Sequence, residues 1–146
     1  MKPFTLHAVL KYRRQLEDKA LQALNRELQV EARLQGKLLQ AEQELADLYS
    51  DQQSDQAQGT FVDRLILYNQ RIDLVKNTVA QCQKAVEKQQ IQVAKKRQTL
   101  VKASKDRKII EKLEEQQNAA YRKHLEKLEA SMLDEIAVLS HERRRR

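Results

Sequence analysis

From Leu65 to Ala103 the sequence repeats at alternating steps of three and four: Leu65, Tyr68, Ile72, Val75, Val79, Cys82, Val86, Gln89, Val93, Lys96, Leu100 and Ala103. Ten of these twelve are apolar, and the series stepping by seven from Leu65 to Leu100 is aliphatic throughout. Such a repeat is the seam of a helix packed lengthwise on another helix. A strand alternates every two residues, and a disordered chain has no reason to hold a register over five heptads. Composition agrees. Two glycines and one proline in 146 residues cannot punctuate a sandwich or a doubly wound sheet, whose turns draw on Gly, Pro, Asn and Asp.

The upstream half carries the same spacing in Leu34, Leu38, Ala41, Leu45 and Leu48, and less regularly in Leu6, Leu10, Ala20, Leu24 and Leu28. The offset between the two sets implies a local change of supercoil near Val30 to Leu34. Between the halves, residues 50–59 hold one apolar residue and end in Gly59, which marks a hairpin tip. Thr60 to Asp63 reads as a capping box for the second helix, while Pro3 and Thr5 suit the start of the first. The predicted fold is all-α, a long antiparallel two-helix coiled coil (an αα-hairpin) in a single domain, 1–146. Its helices cover about 5–49 and about 61–142, with the tip at about 50–60.

A turn centred near Asp55 would set residue i against roughly residue 110 minus i. The first helix would then run out near Asp106, leaving about 40 residues of the second helix uncovered and projecting on the order of 50 Å. Ile110, Leu113, Leu125, Leu128, Met132, Ile136 and Leu139 continue an apolar stripe along that overhang. An apolar stripe without its own cover points to another protein.

The net charge of +7 is unevenly spread: residues 64–110 carry twelve basic and three acidic groups, and residues 111–142 return four basic against eight acidic. The basic excess includes Lys84, Lys88, Lys95, Lys96, Arg97, Lys102, Lys105, Arg107 and Lys108. Three readings fit it: a solvated face, a surface for an acidic protein, or a nucleic-acid contact. No aromatics are interleaved with these cations and no reading module is recognisable, so nucleic acid is the least favoured. The four terminal arginines read as a solvated basic tail.

Chemistry is absent from the pattern. No phosphate-binding glycine loop occurs, and His7, His124 and His141 lack the i, i+4 spacing of helical metal ligands. Cys82 falls on the seam as a small apolar residue without a pairing cysteine. Asp134 and Glu135 are adjacent on a helix and point about 100 degrees apart, so they do not converge on a substrate. No cofactor is expected. The longest apolar run, Leu65 to Tyr68, is far short of the roughly 20 residues a membrane span needs.

Three segments carry a resemblance: Phe4, Leu6, Val9, Leu10 and Arg13 at the amino end; Gln40, Ala41, Glu42, Leu45 and Leu48 towards the tip; and Leu100, Ala103, Ile110, Lys112, Leu113, Asp134 and Glu135 in the second helix. With the length, basic charge and hairpin pattern, they resemble the FliJ family of flagellar type III protein export, whose architecture the stalk proteins of virulence-type systems share. The resemblance implies a non-enzymatic stalk whose two chain ends enter the hexameric flagellar export ATPase and promote its assembly and activity. It further implies contact with the cytoplasmic region of the export gate, escort of export chaperones, and a cytoplasmic location peripheral to the inner membrane. On that basis the ATPase-ring contacts are Phe4, Leu6, Leu10, Arg13, Leu125, Leu128, Met132 and Ile136, and the export-gate contacts are Leu48 and Val75. Asp51, Asp55 and Arg71 replace aromatic members of the gate surface. The alternative, from the residues alone, is a structural coiled-coil rod or dimerisation module with a basic face for an acidic or nucleic-acid partner.

Overall fold

The computed structural model describes residues 6–59 and 61–145, and these form two helices packed antiparallel: α1 (His7–Ala57) and α2 (Val62–Arg145). The seam reads directly from the repeat. All twelve predicted positions from Leu65 to Ala103 are buried or half-buried, while their apolar neighbours Ile66, Leu67, Leu74, Ile91 and Val101 are exposed. On α1 the predicted Leu10, Ala20, Leu24 and Ala41 are buried, and Leu6, Leu28, Leu34, Leu38, Leu45 and Leu48 are half-buried.

Helix ends depart from the sequence reading. The polar run Ser50 to Ala57 is helical, so the tip is far shorter than the predicted 50–60. Gln is a good helix former, and Ser and Asp, though weaker, do not force the backbone out of a helix. Only Gly59 does so, at φ 77, the left-handed conformation that commonly ends a helix. The Gly59 amide donates to the Gln56 carbonyl at 3.2 Å and that of Gln58 to Ser54 at 3.2 Å, closing α1. At the start of α2 the Phe61 carbonyl accepts from Arg64 (3.1 Å) and Leu65 (3.3 Å), closing the first turn of the helix. Asp63 then stands in the first turn, where the positive end of the helix dipole favours a carboxylate. Thr60, Pro3 and Thr5 lie outside the described residues.

Two compact units are distinguished, Lys19–Leu100 and Met1–Asp18 with Val101–Arg146. Within Lys19–Leu100, facing pairs are Glu27 with Gln89, Glu44 with Arg71, and Asp55 with Arg64. Residue i thus faces roughly residue 117 minus i, against the predicted 110. Extending α1 by a few residues moves the turn, and each residue of that movement shifts the partner by two.

The predicted change of supercoil near Val30 to Leu34 has a simpler resolution. The three-and-four spacing continues through Leu24, Glu27, Glu31, Leu34 and Leu38 once two half-buried glutamates are admitted to the seam. Gln89, 9% exposed, donates from Nε2 to the Glu27 main-chain oxygen (2.9 Å) and to its carboxylate (2.5 Å). A satisfied polar layer in an otherwise apolar seam fixes register, because any slip would bury those groups unpaired. Gly36 serves no close approach: nothing lies within 4 Å of the Cβ it lacks.

Candidate partner-binding surfaces

In the unit Met1–Asp18 with Val101–Arg146, charged clasps stand beside the apolar seam contacts. The Arg107 guanidinium donates to Glu17 at 2.5 Å and to Glu111 at 2.6 Å, with its side chain 21% exposed. Arg14 reaches Glu111 at 3.4 Å, and Arg13 reaches Asp106 at 3.4 Å. The seam spacing continues as Arg107, Ile110, Glu114, Gln117 and Tyr121, all half-buried. These pairs join residue i to roughly residue 119–125 minus i, so α1 reaches well beyond the predicted Asp106.

The hydrogen bond from Arg107, reinforced by Arg14, holds the Glu111 carboxyl below its ordinary value of 4.5. A depressed pKa means stability present above 4.5 and lost as pH falls through the folded value. Glu111→Gln is therefore expected to lower the urea midpoint at pH 7 and to converge on the wild type only once the pH has fallen below 4.5 and through the depressed folded value. Parallel pH profiles for the two proteins would contradict the clasp.

From Arg122 to Arg145 every residue is exposed. The uncovered stretch is roughly two dozen residues, or about 36 Å of helix, rather than the predicted 40 residues. It carries Leu125 (42% exposed), Leu128 (48%), Met132 (63%), Ile136 (59%) and Leu139 (58%). Tyr121, Leu125 and Leu128 recur eleven residues later as Met132, Ile136 and Leu139. An eleven-residue period is 3.67 residues per turn, close to the relaxed helix, whereas the seam runs at 3.5. The helix therefore changes period where it leaves α1, and its apolar stripe runs nearly along the axis.

The remaining predicted site residues divide by burial. Leu6 and Arg13 are half-buried, and Leu10, 2% exposed, is sealed in the seam. Phe4 lies outside the described residues. Leu48 is half-buried, while Val75, 4% exposed, packs in the seam and is closed to a partner unless the helices part. Leu48 borders a groove formed with Arg64, Leu67, Tyr68 and Arg71, a surface that the two isolated positions Leu48 and Val75 did not reveal. Beside it Arg64 Nε lies 3.1 Å from Asp55 Oδ2, and the same carboxylate, as hydrogen-bond acceptor, raises the Tyr68 hydroxyl above its ordinary pKa. Arg71 pairs with Glu44 across the groove's other end.

Among the described residues no group of three or more His, Cys, Asp or Glu is placed to hold a metal ion, and no helix is long and apolar enough to cross a membrane. A protein-family model described as "Flagellar FliJ protein" matches residues 1–146. No curated protein and no solved structure matches the chain.

Proposed function

As the chain belongs to the flagellar FliJ family and so to flagellar protein export, we propose that it acts there as a non-catalytic stalk. Its free helix end enters the hexameric flagellar export ATPase, and the tip meets the cytoplasmic region of the export gate. The observation that carries this reading is the exposed stripe from Leu125 to Leu139, a face with no cover of its own. A helix projecting into a ring presents different groups to successive subunits. It can therefore bias their states by differential contacts, without chemistry of its own.

Leu125, Leu128, Met132 and Ile136 are the ring contacts of this account, joined by Leu6, Arg13 and Phe4 from the amino end. Leu10 supports them from inside the seam. At the tip, Leu48 and the groove beside it meet the gate, with Val75 as their packing support. Escort of export chaperones and a peripheral position at the inner membrane complete the proposed role. The test is ATP turnover by the cognate export ATPase with and without the chain.

A further inference from the structure

Within Lys19–Leu100 the two broad faces of the hairpin differ in charge far more than the sequence order reveals. The pair Glu44 and Arg71 fixes one face, and the pair Tyr49 and Lys76, with the ammonium 5.8 Å from the ring centroid, fixes the other. Stepping back by sevens from Glu44 gives Lys37, Val30 and Ala23, and stepping forward from Arg71 gives Thr78, Ala85, Gln92 and Thr99. Their outward neighbours four residues earlier on the same face are Lys19, Arg26, Arg33 and Gln40 on α1 and Leu74, Gln81, Lys88 and Lys95 on α2, Leu74 lying tipward of the stretch that holds the cations.

This face thus gathers Lys19, Arg26, Arg33, Lys37, Lys88 and Lys95, with no acidic residue between them, over about 27 Å of helix. All six are exposed, and none belongs to an ion pair among the described residues. The opposite face of the same stretch holds Leu21, Leu28, Leu39, Gln35, Gln83 and Gln90, with only Glu87 and Arg97 charged. The nearby glutamates Glu27 and Glu31 are drawn into the seam, away from the cations they would neutralise.

We propose that this six-cation face binds the surface of an anionic lipid bilayer. A protein partner needs an apolar centre to the contact, and the spaces between these cations hold only Ala23, Val30, Ala85, Gln92 and Thr99. A layer of anionic headgroups needs none: it attracts each Lys or Arg near it through smeared charge. Five of the cations stand at seven-residue intervals, about 10 Å apart, on two side-by-side helices, with Lys37 four residues beyond Arg33, a broad array without a pocket. Duplex nucleic acid would meet the same charges, but the face has no aromatic for stacking and no recognition element for a groove. This contact belongs to the chain before its end enters the ATPase ring: the hairpin then lies along the bilayer with Leu21 and Leu39 turned outward.

The experiment is sedimentation of the full chain with vesicles of phosphatidylcholine alone or with about 30% phosphatidylglycerol, at about 0.1 M and about 1 M salt, where screening shortens from about 10 Å to about 3 Å. Binding is expected to the anionic vesicles only, and at the lower salt only. Arg26→Glu with Arg33→Glu should reduce partitioning roughly 25-fold or more, a factor of about five for each cation withdrawn. Arg97→Glu on the opposite face should change it less than about twofold. Arg33→Gln, which removes one charge without reversal, should give an intermediate loss, and far-ultraviolet circular dichroism verifies that each variant is helical. Equal binding to both vesicle types, or equal losses on the two faces, would overturn the proposal. Tighter binding to a duplex DNA than to the anionic vesicles, lost in the same double variant, would overturn it in favour of nucleic acid.

Discussion

A chain lacking residues 122–146 is expected to keep its helical hairpin and its thermal midpoint, and to lose all stimulation of the export ATPase. Each residue from Arg122 to Arg145 is exposed, so their removal withdraws almost no buried area. Changes to exposed positions stay within about 0.5 kcal/mol. Tyr121, half-buried against the paired part of its unit, is retained for that reason. The functional loss follows from the stripe: Leu125, Leu128, Met132 and Ile136 offer their apolar area only to a partner. Glu at both Leu128 and Met132 in the full chain should reproduce the defect while leaving every residue count intact. Full stimulation by the truncated chain would remove the ring contact from this end.

The second large effect is on stability. Ile72→Ala is expected to destabilise the hairpin by about 2–4 kcal/mol, the usual result of deleting a buried aliphatic side chain whose surroundings relax only in part. Ile72 is 4% exposed, whereas Leu74, two residues away, is 61% exposed. Leu74→Ala should therefore cost less than about 0.5 kcal/mol. Urea denaturation followed by circular dichroism measures both. Similar losses at the two positions would mean that the seam of α2 does not face α1.

This contrast also shows what the sequence made legible. The seam from Leu65 to Ala103 was readable because apolar residues kept one register, and each of its positions is buried or half-buried. Three features hid behind polar residues. Glu27 and Glu31 interrupted the pattern of α1, and only Gln89, reaching the Glu27 carbonyl, explains how a carboxylate tolerates the seam. Ser50 to Ala57 looked like a loop because its residues are polar, yet a helix bounded on one side by solvent accepts them. The Arg107 clasp with Glu17 and Glu111 joins residues 90 apart in sequence, a distance no local pattern spans.

The candidate site was readable in the same measure. The uncovered stripe appeared as a run of apolar residues without partners, although the turn position misjudged its length. Its eleven-residue period was present in the sequence as the pairs Tyr121 and Met132, Leu125 and Ile136, and Leu128 and Leu139. Val75 and Leu10 are a different case: family resemblance placed them at contacts, and packing places them in the seam, 4% and 2% exposed. Apolar character alone does not separate a core residue from a docking residue. The two-sided charge of Lys19–Leu100 needed the helix pairing, since Arg26 and Lys95 share a face only after folding.

The most direct test of the stalk account is ATP hydrolysis by the purified cognate export ATPase as the chain is titrated against it. The account predicts a rate that rises and saturates at one chain per six ATPase subunits, with the chain monomeric when alone. An unchanged rate, together with a stable dimer of the chain by light scattering, would contradict it and leave the hairpin as a structural dimerisation module.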